Sequence, residues 1–114
     1  MAGTHEDLVI WQRSLEVIFL IYELSAQLPD GERFGLVSQM RRAAVSVPSN
    51  IAEGYCRFSQ KDFRRFLGIA LGSAAELHTQ LIVTERIYNL DTSKLRNEVI
   101  EISKMTRAFI KKLS

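Results

Sequence analysis

Arg42, Ser46, Asn50 and Glu53 recur at i, i+4, i+8 and i+11, so a helix would carry them on one face, with Gln39 extending the row. Pairing of Arg42 with a carboxylate, within the row or across to Glu76, would orient the guanidinium. Two uses fit such a row. It is a small polar site at a helix interface, or a network that fixes helix register or subunit packing, and the second is favoured. No base stands beside a nucleophile, so catalysis does not follow.

Arg57, Lys61, Arg64 and Arg65 recur at i, i+4, i+7 and i+8, with Phe58 and Phe63 interleaved. Lys104, Arg107 and Lys111 repeat the pattern near the C-terminus, joined by Lys112, and no acid follows Glu101. Such rows neutralise phosphates without reading bases. The alternative is a solvated face, aided on the last helix by a favourable interaction with the helix dipole. Repetition of one patch around an oligomer would favour the phosphate reading through avidity.

Other reactive residues are sparse. His78 has no second ligand three or four residues away and reads as a packed or surface histidine. The one cysteine, Cys56, excludes an internal disulfide and a thiolate zinc cluster, and reads as an inert thiol. Trp11 and Tyr22 read as core or interface. Gly68 and Gly72 read as helix-packing glycines, not as a phosphate-cradling loop. No metal, cofactor or enzymatic activity is expected.

These rows need elements to hold them. With 46% hydrophobic and 25% charged residues, 114 residues make one folded domain, 1–114, with a real core. Six glycines and two prolines exclude collagen-like and linker proteins. Apolar residues recur with a period near 3.6, which predicts helices over 7–28, 32–54 and 59–89, and a fourth from a cap at 91–93 to 113. Pro29-Asp30-Gly31 predicts the first turn, with Gly31 at positive φ. Pro48 should kink or break the second helix, and Gly54 should stop it. Ser59 to Asp62 approximates a capping box for the third. Leu95, Val99, Ile102, Thr106, Phe109 and Leu113 form a heptad seam on the fourth. Short loops make neighbours antiparallel, so the expected fold is an all-α, up-down-up-down four-helix bundle.

The first helix has more apolar surface than a bundle needs. Leu8, Trp11, Leu15, Ile18, Tyr22 and Ala26 form one row, and Val17, Leu20, Ile21, Leu24 and Leu28 a second beside it. A bundle helix buries one stripe. The second row is therefore expected at an oligomer interface.

Net charge is only +2, but it is unevenly distributed. Residues 1–32 carry six acids against Arg13, whereas residues 33–65 carry seven bases against Glu53 and Asp62. Residues 94–114 carry six bases against Glu98 and Glu101. The pattern fits a basic patch, or helices that neutralise one another in space. The N-terminal stretch lacks a basic region and an apolar run, so no secretory signal is expected. Leu15 to Leu28 is too short and too interrupted to span a bilayer, so no membrane role is expected, and the expected compartment is the cytoplasm.

Asp7-Leu8-Val9-Ile10-Trp11-Gln12, Phe34-Gly35-Leu36 and the run from Gln39 to Gly54 resemble the 23S rRNA intervening-sequence protein family. Phe66-Leu67-Gly68-Ile69-Ala70-Leu71-Gly72-Ser73-Ala74-Ala75-Glu76 continues the match, which covers nearly the whole chain; the stretch from Arg41 to Gly54 is its specific part. The resemblance implies a bacterial four-helix bundle that assembles as a pentameric ring. The family name records a genomic location, not an activity. The accessory protein of diversity-generating retroelements is similar to the same family, and is a basic pentamer that binds nucleic acid and a reverse transcriptase. The resemblance thus implies a homo-oligomer with RNA or DNA as partner, and it transfers no catalytic residue. The competing expectation is an oligomeric scaffold that binds another protein.

Overall fold

Ser14 explains how the first helix sits. The buried stripe of α1 (Val9–Ser25) is Ile10, Ser14, Val17, Ile21 and Leu24, continued by Leu28. The Ser14 hydroxyl donates to the carbonyls of Ile10 and Trp11 at 2.8 and 3.0 Å, so it is buried without an unmet hydrogen bond. The expectation for α1 is therefore corrected. Val17, Ile21, Leu24 and Leu28 belong to the chain's own core and are not available to a subunit interface, and of that row only Leu20 is exposed, at 46%. The surplus apolar surface lies elsewhere, on Phe19, Leu20 and Tyr22.

The structure is a computed structural model that describes residues 3–113; Met1, Ala2 and Ser114 lie outside the described residues. It contains α1, α2 (Leu36–Tyr55), α3 (Gln60–Tyr88) and α4 (Ser93–Lys112), with short 3-10 turns at His5–Asp7 and Asp30–Glu32. No strand occurs among the described residues. Packing runs α1 on α2, α2 on α3, α3 on α4 and α4 on α1. Side-chain contacts fix the directions. Arg41, early in α2, reaches Ser25 at the end of α1, and Ser46 meets Ser73. Phe63 at the start of α3 meets Phe109 at the end of α4, and Glu85 meets Arg96 at the other end. Asp7 to Ile10, at the start of α1, share a groove with Met105, Phe109 and Lys112 at the end of α4, so each helix runs opposite to both neighbours, as expected.

All four helices feed the core. Met40, Ala44, Val47 and Ile51 come from α2, Leu67, Ala70, Ala74, Leu77 and Leu81 from α3, and Val99 and Ile102 from α4. The central void between them measures about 10 Å³, near the lower limit for one water. By length and composition α3 could cross a membrane, but in the bundle its Leu67-to-Thr84 stripe packs against its neighbours.

Local signals account for most ends. Ser59 caps α3 through a bond from the Asp62 N–H, 3.1 Å. Asn89 closes it in the left-handed region, φ 56°, with its N–H on the Glu85 carbonyl. Other boundaries moved. α1 begins at Val9, because Leu8 is extended, and ends at Ser25 in a tightened turn before Pro29. α2 begins at Leu36, not at 32. Glu32 serves its N-terminus from outside, accepting the Leu36 N–H at 3.2 Å while its other oxygen accepts the Tyr88 hydroxyl. Gly31 sits in the 3-10 turn, without the positive φ expected of it. Pro48 does not break α2. Gly54 does not stop it either. A Cβ there would lie 2.7 Å from Phe66 Cβ and 3.2 Å from the Phe63 carbonyl, so Gly54 lets α2 and α3 approach closely.

Candidate nucleic-acid interface

Antiparallel packing decides where the basic rows lie. Arg57 is in the short α2–α3 loop, and Lys61, Arg64 and Arg65 fill the first turns of α3. Lys104, Arg107, Lys111 and Lys112 lie in the second half of α4. The Phe63 ring packs edge-on against Tyr55 at 5.9 Å and Phe109 at 5.4 Å, which brings the start of α3 and the end of α4 together. Arg57 and the start of α3 therefore lie at the same end of a 46 Å long bundle as Lys111 and Lys112, whereas Lys104 lies nearer its middle, in a groove with Ala75 and His78.

They do not form one flat patch. Lys104 and Arg107 border a shallow groove with His78 and Ile100 between α3 and α4. Lys112 faces the opposite side, bordering a groove with Asp7, Leu8 and Met105. Arg57 and Arg65 occupy the α2–α3 corner, over the Phe66 ring.

That corner has internal order. The Arg57 guanidinium lies 4.7 Å from the Phe66 ring centre and that of Arg65 4.4 Å from it. One aromatic ring thus carries two cations, which places them no more than about 9 Å apart. Arg57 also pairs with Glu53 at 2.9 Å, and Arg65 stands 3.9 Å from Asp62. Lys61 and Arg64 make no ion pair among the described residues. Lys104 is 3.6 Å from Glu101, whereas Arg107, Lys111 and Lys112 have no such neighbour among the described residues. Phe58, in the same loop as Arg57, is fully exposed.

The polar row separates into two parts. Gln39, Arg42, Ser46 and Glu76 line a surface cleft of about 440 Å³ between α2 and α3, with Ser73 and Gln80. At its floor the Ser46 and Ser73 hydroxyls meet at 2.7 Å, and the Asn50 amide donates to Ser46 Oγ at 3.0 Å. Glu53 leaves the row for Arg57. Among the described residues Arg42 makes no ion pair, so the expected pairing with Glu53 or Glu76 is corrected. Arg42 and Glu53 are exposed, and the row does not converge on an enclosed pocket. No group of three or more His, Cys, Asp or Glu side chains among the described residues could hold a metal ion. Gly68 and Gly72, expected to pack helices, face outward, where a methyl group would meet nothing within 4 Å.

The strongest polar ties were not legible as such. Arg13 grips Glu98 with two bonds, 2.8 and 2.7 Å, joining α1 to α4. This holds the Glu98 carboxyl below its ordinary pKa and raises that of Arg13. Glu85 accepts the Thr92 N–H and hydroxyl, each at 3.0 Å, and Arg96 Nη2 at 3.0 Å. Those bonds, led by the Thr92 N–H, hold the Glu85 carboxyl low and lock the α3–α4 turn. Sequence spacing gives no sign of either tie, since Arg13 and Glu98 are 85 residues apart.

Fold and surface together define a small antiparallel four-helix bundle with cationic side chains gathered at one end. The chain belongs to the 23S rRNA-intervening sequence protein family, which matches residues 6–108. It is similar to a solved structure of unknown function from the S23 ribosomal protein family of Bacteroides thetaiotaomicron. The two share 28% identity and a TM-score of 0.82, over 90% of this chain and 99% of the other. No curated protein matches.

Proposed function

We propose that the protein is a non-enzymatic, homo-oligomeric accessory protein of the cytoplasm that binds the nucleic-acid backbone through its basic end. The observation that carries this reading is the Phe63–Phe109 contact, which brings Arg57, Lys61, Arg64 and Arg65 to the same end as Arg107, Lys111 and Lys112. Cations so gathered attract phosphates whatever the sequence. In an oligomer, the pentamer implied by the resemblance included, each copy would present the same end and multiply a weak contact.

A second reading, a scaffold for another protein, draws on exposed apolar residues: Phe19, Leu20 and Tyr22 on α1, and Ile69, Val83 and Ile87 on α3. A titration separates the two. Fluorescence anisotropy of a structured RNA and of a DNA duplex, at low and near-physiological salt, should show affinity falling steeply with salt. Replacing Lys61, Arg64 and Arg65 with Ala should weaken all sequences alike and reduce the log–log slope by about 2 to 3, since each phosphate contact contributes roughly 0.7–0.9. A loss confined to some sequences contradicts backbone binding. Absence of binding even at low salt turns the search to protein partners.

A further inference from the structure

Phe58 is a large apolar side chain fully exposed in the loop between two long helices. The other aromatic residues at this end are used. Phe63 packs between Tyr55 and Phe109, and Phe66 lies beneath Arg57 and Arg65. Phe58 makes no ring or cation contact among the described residues. Its position is nevertheless defined, because the Arg57 N–H bonds to the Gly54 carbonyl at 3.1 Å on one side and Ser59 caps α3 on the other. Four cations, Arg57, Lys61, Arg64 and Arg65, lie within seven residues of it in sequence.

We propose that Phe58 is a stacking platform for an unpaired base, and that the nucleic acid taken by this end is single-stranded. The inference rests on the phosphate-binding reading above and adds the ligand's form. Inside a duplex both faces of each base are covered by its neighbours, so away from the ends a ring on a short loop finds nothing to stack on. In a single strand a base can turn out onto the ring while its flanking phosphates meet Arg57, next to it in the chain, and the cations of the first turns of α3. The arrangement reads no base identity, because every base has a π-face. Insertion into an anionic membrane would also use an aromatic residue among cations, but it needs a broader apolar face. The residues within two of Phe58 are Cys56, Arg57, Ser59 and Gln60, too small an apolar surface for that.

The test is anisotropy on the full chain at low salt. The probes are labelled oligo-uridine and oligo-thymidine of about twelve nucleotides, and a mixed-sequence duplex of the same length. The wild type should prefer the single strands. Phe58→Ala should weaken them by about tenfold or more, the size of one lost base stack, while leaving the duplex affinity, the salt slope and the melting temperature unchanged. Phe58→Trp should retain affinity, with tryptophan fluorescence quenched beyond the wild-type change. Phe34→Ala, at another exposed phenylalanine near the α1–α2 turn, should change nothing. Unchanged single-strand affinity in Phe58→Ala, or an equal loss on duplex, overturns the platform. So does loss of binding to phosphatidylserine vesicles with strand binding intact. If the wild type binds neither strand nor duplex at low salt, the phosphate-binding reading itself has failed.

Discussion

Arg13 and Glu98 illustrate what single residues contribute. Their two short bonds form the fork geometry that makes an arginine–carboxylate pair directional. Both side chains keep roughly a third of their surface in water, so the pair is worth about 1 kcal/mol, not the value of a buried one. Glu98→Gln should lower stability by that amount in urea unfolding. It should also alter the acid response. The folded carboxyls of Glu98, Glu85, Glu32 and Asp91 all sit below their ordinary pKa, held there by hydrogen bonds to the charged form. Their contribution is therefore full above the unfolded carboxylate range, about pH 4 to 5, and is lost as pH falls through the lower folded values. Stability followed from pH 6 to pH 2 should decline on the acid side, and less steeply in Glu98→Gln. Ser14 marks the limit of legibility at this scale. A hydroxyl that satisfies itself on its own helix packs like an apolar residue, so a row read from hydrophobicity alone steps around it and turns α1 the wrong way.

Among the helices, α3 was the most legible, because Ser59 and Asn89 are local signals that act within a turn. Gly54 and Gly72 look alike in sequence and differ in place. Gly54→Ala would push a methyl into the Phe63 carbonyl and the Phe66 Cβ, neither free to move, and should cost about 1–3 kcal/mol in spite of better helix propensity. Gly72→Ala meets nothing within 4 Å and should add about 0.5–1 kcal/mol to the isolated chain. That outward face also makes Gly72 a probe of assembly. If a second copy packs on it closely, Gly72→Ala will stabilise folding while shifting sedimentation toward smaller species. Thermal unfolding and sedimentation velocity on the same sample separate the two effects.

The bundle as a whole followed from four periodic segments joined by short turns, whose alternation leaves few other topologies. The charge arrangement did not follow. Two basic rows about forty residues apart come toward the same end only because α3 and α4 run opposite ways, with Phe63 against Phe109 between them. Charge reversal at this end, such as Lys61→Glu with Arg64→Glu, should abolish low-salt binding in anisotropy. The same changes should leave stability within about 0.5 kcal/mol, as expected of surface positions.

Cys56 lies two residues from Phe58, on the surface, and is the sequence's one thiol. A maleimide dye attached there needs no substitution elsewhere and stands beside the stacking ring, so its emission should change when a strand arrives. Because each chain accepts one dye, the number of photobleaching steps in a single immobilised particle counts its subunits. The same residue thus makes strand capture and stoichiometry readable on one particle.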